Sequence, residues 1–118
     1  MAELIREGQE LVVKLSALEK AEAVHGEIRV PWTAVQSVMV LDDAIYAVHG
    51  LNLPGSRLPG VFAMGTFKSD EGNLFAIVHH QTRRGVKVTL TGAPYDALII
   101  GTEDPEAGVT ALTQRQKG

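Results

Sequence analysis

From Val61 to Gly101, short β-rich segments recur roughly every ten to twelve residues, separated by turns that carry Gly, Asn or Pro. Val61–Lys68, Leu74–His80, Val86–Thr91 and Tyr95–Gly101 read as strands. Ser69–Asn73, Gln81–Gly85 and Gly92-Ala93-Pro94 read as the turns between them. Successive side chains on a strand point to opposite faces, so Val86–Thr91 has a core face of Val86, Val88 and Leu90 and an outer face of Lys87, Thr89 and Thr91. Such spacing predicts an antiparallel meander, with Arg83-Arg84 at a hairpin tip.

The N-terminal half is less regular. Glu10–Leu15, Glu27–Val30 and Gln36–Leu41 read as strands, with Pro31 removing a backbone donor after the second. Between the first two, Ser16 and Glu19 have the spacing of a capping box, which predicts a short helix over Ala17–His25 closed by Gly26. Asp42-Asp43 can cap a brief helical turn over Ala44–His49. Gly50–Gly60 holds the triplet Leu-Pro-Gly twice, at Leu53–Gly55 and Leu58–Gly60. Pro presets φ for the second residue of a turn and Gly supplies a positive φ for the third. The stretch is therefore expected to form two successive type II turns in a rigid loop, with Gly72 under less constraint in its own turn. Asp104-Pro105-Glu106 places an acceptor, a preset φ and an acid at the start of a C-terminal helix over Pro105–Gln114.

Composition narrows the function classes. At 118 residues the chain fits a single domain spanning 1–118, with its core over about 10–114, and 45% apolar content is enough to fill it. The net charge of −3 argues against nucleic acid or an anionic membrane as bulk partners. No cysteine is present for a disulfide, a thiolate metal site or a Cys nucleophile. Met1–Gly8 lacks the apolar run of a secretory signal, and no apolar run approaches the ~20 residues of a membrane-spanning helix. The expectation is a cytoplasmic protein.

About seven strands in a bent sheet closed by a C-terminal helix is the architecture of pleckstrin-homology-like (PH-like) domains. Ile28-Arg29-Val30-Pro31, followed by Val35 and Val38-Met39-Val40, resembles the strand, Pro, turn and strand that begin bacterial PH-like domains. Gly50-Leu51, Pro54-Gly55, Leu58-Pro59-Gly60 and Gly65-Thr66 are similar to a group of small uncharacterised bacterial proteins, over roughly Leu11 to Leu112. The resemblance implies a partly open β-barrel and no particular activity. It departs from phosphoinositide-binding PH domains in the connection Ser16–Glu27, where Lys20 stands against Glu19, Glu22 and Glu27, so phosphoinositide binding is not expected.

The residues hold no evident catalytic constellation. Ser16, Ser37, Ser56 and Ser69 lie outside any GxSxG pattern. His25, His49, His79 and His80 lack metal-ligand spacing, and the glycines lack phosphate-loop spacing. No catalytic residue, metal or cofactor is therefore assigned. Arg57, Lys68, Arg83, Arg84 and Lys87 give residues 57–91 five bases against two acids, a local excess in an acidic chain. Arg83-Arg84 read either as a solvated turn or as a binding patch, and Trp32 either as a core residue or as an interface anchor. The leading expectation is a non-enzymatic intracellular interaction module that binds a protein partner or itself. Its alternatives are a small-molecule-binding or enzymatic domain using the Gly50–Gly60 loop with His49 and Arg57, and, disfavoured, a membrane-surface adaptor.

Overall fold

The computed structural model describes residues 3–17, 19–20, 27–48, 51–58, 62–69, 72–79 and 83–116, and within these the side chains of 46, 51–58, 62, 69, 111 and 113–116 are excluded. The fold is mainly β, two open sheets and a C-terminal helix. Strands β1 (Glu3–Glu7), β2 (Glu10–Lys14) and β3 (Ile28–Pro31) form an antiparallel sheet in the order β1-β2-β3. Strands β4 (Val35–Leu41), β5 (Leu51–Leu58), β6 (Phe62–Ser69), β7 (Gly72–Val78), β8 (Gly85–Leu90) and β9 (Ala97–Gly101) form the second, in the order β4-β8-β9-β7-β6-β5. A single 3₁₀ turn, Trp32–Ala34, carries the chain from β3 in one sheet to β4 in the other.

Four features depart from the sequence reading. β1 was not anticipated. It pairs with β2 from Glu3↔Lys14 to Glu7↔Glu10, so residues judged only for the lack of a signal are part of a hairpin. The larger sheet is mixed, not an antiparallel meander. β9 inserts between β7 and β8, parallel to β7 and antiparallel to β8, so Arg83-Arg84 lie on a crossover instead of a hairpin tip. Its sequence, Ala-Leu-Ile-Ile-Gly, suits that central place because both its faces are covered. The expected double turn is a strand over Leu51–Leu58. Pro54 tolerates this because β5 is an edge strand and its register slips between Asn52 and Gly55, where a missing N–H does least harm. Pro59 and Gly60 lie outside the described residues. Finally, among the described residues nine strands in two open sheets replace about seven in a partly open barrel, and the sheets do not close.

Other expectations hold. Val86, Val88 and Leu90 are buried as the alternation required. The capping box forms, with the Ser16 N–H donating to Glu19 Oε1 at 2.9 Å and the Glu19 N–H to Ser16 Oγ at 3.2 Å. Residues 18 and 21–26 of that helix lie outside the described residues. The turn expected over Ala44–His49 is shorter, helix α1 spanning Ala44–Ala47, and the expected cap does not form, since the Asp43 side chain makes no cap bond. Helix α2 spans Pro105–Gln116, and the Ala107 N–H donates to Asp104 Oδ1 at 3.1 Å as the Asp-Pro-Glu motif predicts.

The larger sheet packs against other elements on both faces. Its inner face contributes Met64, Phe75, Ile77, Val86, Val88, Leu98 and Ile100 to a core shared with Leu11, Val13, Ile28 and Val30 of the smaller sheet and Leu112 of α2. Its outer face packs Ala63, Phe67, Leu74, Ala76, Val78 and Ile99 against Ala44, Ile45 and Val48 of the α1 segment. A Cβ at Gly85 would stand 2.5 Å from the Ile100 carbonyl oxygen and 3.0 Å from Ala44 Cβ, so the close approach of α1 to the sheet requires Gly there.

Candidate functional site

The outer face is only partly covered. Beyond α1 it opens into a cleft of about 330 Å³, at the small end of the range for ligand pockets. Strand register builds it. The pairs Leu74↔Ala97 and Thr89↔Ala97, with Lys87↔Ile99, bring β7, β9 and β8 side by side and point these residues to the same face. Leu74, Ala97 and Ile99 form an apolar floor, Ala47 a wall, and Lys87 and Thr89 the opposite rim. The volume exists because Ala47, Gly72 and Ala97 are small.

One end of the cleft is a clamp. The Asn73 N–H donates to Asp96 Oδ2 at 2.8 Å, the Asp96 N–H to the Asn73 carbonyl at 2.8 Å, and the Leu90 N–H to the Asp96 carbonyl at 2.9 Å. Gly72 begins this clamp at φ +121°, and a Cβ there would collide with the Asp96 carboxylate. Gly72 is thus the constrained glycine, contrary to the looser turn expected of it. In contrast, the side chains of Asn73, Lys87 and Thr89 make no hydrogen bond or ion pair among the described residues. A second cleft, of about 300 Å³, lies between α2, β1, β8 and β9, with Glu3, Thr102 and Asp104 as its polar lining.

Among the described residues, those singled out in the sequence do not converge. Trp32 is 9% exposed, within the inner core, with the Arg6 guanidinium 4.5 Å over its ring. That stacking adds cation–π attraction and shields the indole from water. Arg83 pairs with Asp43 at 2.8 Å. Arg84 pairs bidentately with Glu106 and lies 3.6 Å from Asp42. The guanidinium holds the Glu106 carboxyl below its ordinary value. The basic dipeptide therefore ties α2 and the start of α1 to the crossover. His49 lies outside the described residues, as does the side chain of Arg57.

A buried pair went unanticipated. Glu19, 2% exposed, accepts or shares a proton with His79 Nε2 at 2.8 Å while also accepting the Ser16 N–H. Burial pushes this carboxyl up, but the Ser16 N–H and the His79 ring outweigh it and hold the group below its ordinary value. Sixty residues separate the two side chains, so no local spacing points to the pair. On the smaller sheet Arg29 gathers Glu7 at 2.9 Å, Glu27 at 2.9 Å and Glu10 at 3.5 Å, which relieves the like-charge pair Glu7↔Glu10.

The cleft was legible in part. The alternation of Val86–Thr91 assigns Lys87 and Thr89 to one face, but only the insertion of β9 puts an apolar floor beside them. Among the described residues no helix is long and apolar enough to cross a membrane, and no group of three or more His, Asp or Glu is placed to hold a metal ion. A mainly β domain with one apolar, polar-rimmed cleft is what the geometry defines. Compared with models of protein families, with curated proteins and with solved structures, the chain matches none.

Proposed function

We propose that this chain is a non-enzymatic intracellular interaction module of the PH-like kind, which binds a protein partner or a second copy through a sheet edge. The observation that supports the reading is β4. It is an outer strand of the larger sheet, and its sequence, Val-Gln-Ser-Val-Met-Val-Leu, contains no charge and no Pro across seven residues. Edge strands that must not pair carry such residues. Met39, on this strand, is the exposed large apolar side chain among the described residues, at 49%. The PH-like assignment rests on the sequence resemblance and on two sheets joined by a C-terminal helix, while the parallel β7/β9 pair is a departure from it.

A membrane-surface role is supported less. Juxtaposed bases contribute ~1 kcal/mol each near an anionic surface only when they are available to it, and Arg83 and Arg84 are engaged by Asp43, Asp42 and Glu106.

The test uses Gln36→Lys and Met39→Lys, charged substitutions on the exposed side chains of the edge. Immobilised wild-type protein should retain specific proteins from a lysate of its native cell, or sediment as more than a monomer, and both variants should lose this while keeping their thermal midpoints. Retention and sedimentation unchanged in both variants would refute the edge reading. Saturable binding to phosphoinositide vesicles that disappears in an Arg83→Ala/Arg84→Ala variant would replace it with the membrane role.

A further inference from the structure

We propose that the outer-face cleft binds a small monocarboxylate with a short apolar body, its carboxylate on Lys87 and Thr89 and its apolar part on Leu74, Ala97 and Ile99. This site is separate from the β4 edge backbone. It stands on three observations. The first is shape: a depression of about 330 Å³ whose floor is apolar because β7 and β9 align Leu74, Ala97 and Ile99 on one face.

The second is polar chemistry left unused by the protein. Lys87 and Thr89 are two residues apart on β8, so they rise from the same face of one strand, and neither side chain has a protein partner among the described residues. An ammonium and a hydroxyl at that spacing can both donate to the two oxygens of one carboxylate, and charge-assisted bonds of this kind are the stronger ones.

The third is orientation. Asp96 stands at the clamp end of the cleft with one carboxylate oxygen committed to the Asn73 N–H. Its chain neighbour Ala97 pairs with Thr89, so its negative charge lies on the Thr89 side of the rim and shifts an anionic head toward Lys87, with Thr89 reached by one oxygen. A second carboxylate on the ligand would meet Asp96 or the apolar floor, so a single anionic group fits best. The neighbour of Lys87 across the strand pair is Met39, whose exposed thioether extends the apolar surface beside the head group.

The experiment is a titration of the ¹⁵N-labelled protein with octanoate, followed by amide shifts. Saturable shifts should be confined to residues 72–74, 87–89 and 96–99. Lys87→Met keeps the side-chain length and removes the charge, and should weaken octanoate about tenfold, the scale of one charge-assisted bond. Ala97→Leu should abolish binding by filling the floor. Thr89→Val, nearly isosteric, covers the case in which Ala97→Leu does not fold, and should weaken binding severalfold. Octanol and octylammonium should bind at least tenfold more weakly than octanoate. Octanol binding as tightly as octanoate, octanoate binding unchanged in Lys87→Met, or no shifts in these segments would each overturn the proposal.

Discussion

The two faces of the six-stranded sheet are built from the same strands and differ in side-chain volume. The inner face carries Phe75, Ile77, Leu98 and Ile100, all within 1% of complete burial, and meets a second sheet. The outer face also buries Phe67, Leu74, Val78 and Ile99, but sets Ala76, Ala97, Gly85 and Gly101 among them, and among the described residues it is the short α1 segment that packs on it. Where α1 reaches, small residues permit close packing. Where it does not, they leave a cleft. Fully burying a large aliphatic or aromatic side chain contributes ~1.5–3 kcal/mol, and the inner face, with the second sheet and α2 against it, buries the larger set of them. The outer face is free to present chemistry instead.

The largest expected effect tests this asymmetry within one strand. Val88→Asp places an unpaired charge in the inner core, where Val88 is 0% exposed, and should destabilise by about 4 kcal/mol or more, enough to leave little folded protein. Thr89→Asp, one residue on and facing the cleft rim, should stay within about 1 kcal/mol of wild type. Urea midpoints compare the two, and equal midpoints would break the assignment of faces.

Glycines sharpen the comparison. Gly85→Ala forces a methyl against the Ile100 carbonyl and Ala44, and overpacking of this kind should cost about 2–3 kcal/mol. Gly108→Ala meets only Val86 Cγ2 at an ordinary 3.8 Å, within α2, and should be neutral or stabilise by up to about 1 kcal/mol. Thermal midpoints moving in the same direction for both would show that the outer face is not tight at α1. At the open end of that face, Gly72→Ala should cost about 2 kcal/mol, since φ +121° disfavours a Cβ and the Asp96 carboxylate must move. Loss of amide protection at Asn73 and Leu90, with the inner strands still protected, is the expected hydrogen-exchange signature.

The smallest effect lies at the end of the inner core, where His79 continues the parity of Phe75 and Ile77. The Glu19 carboxyl is held below its ordinary value near 4.5. A depressed folded-state value stabilises the fold above the unfolded value, and that contribution disappears as pH falls through the folded one. Glu19→Gln should cost about 1–2 kcal/mol at neutral pH and flatten the loss of stability below about pH 4.5. Glu7 and Glu106, also depressed by arginine partners, keep part of that acid dependence. Urea denaturation between pH 3 and 7 reads this, and parallel acid limbs for variant and wild type would contradict it.

Much of the fold was legible where the physics is local. The alternation of Val86–Thr91 identified the core face because the pleat repeats every two residues. The Ser16/Glu19 box and the Asp104-Pro105-Glu106 start are satisfied within one helical turn, and both formed. Reading Leu53-Pro54-Gly55 by the same local rules failed. The triplet fits a type II turn in isolation, but β6 offers a strand partner to an edge segment, and a register slip absorbs the proline. The candidate site fared similarly. Lys87 and Thr89 were placed on the outer face, while Asp96, Asn73 and Gly72 were not connected to them, because that connection runs through β9.

The sequence by itself determined the strands whose alternation is regular, above all Val86–Thr91 with its apolar face, and the capped helix starts at Ser16/Glu19 and Asp104-Pro105-Glu106, because side-chain alternation and capping act over a few neighbouring residues; it missed β1 and read β5 as turns. Only the tertiary structure decided that β9 lies between β7 and β8, that Glu19 meets His79, and that Arg83 and Arg84 are spent on acids from α1 and α2. Strand order is a choice among pairings of similar backbone energy, settled by which arrangement buries Leu98–Gly101 from both faces at once. No window of sequence contains both sides of that choice.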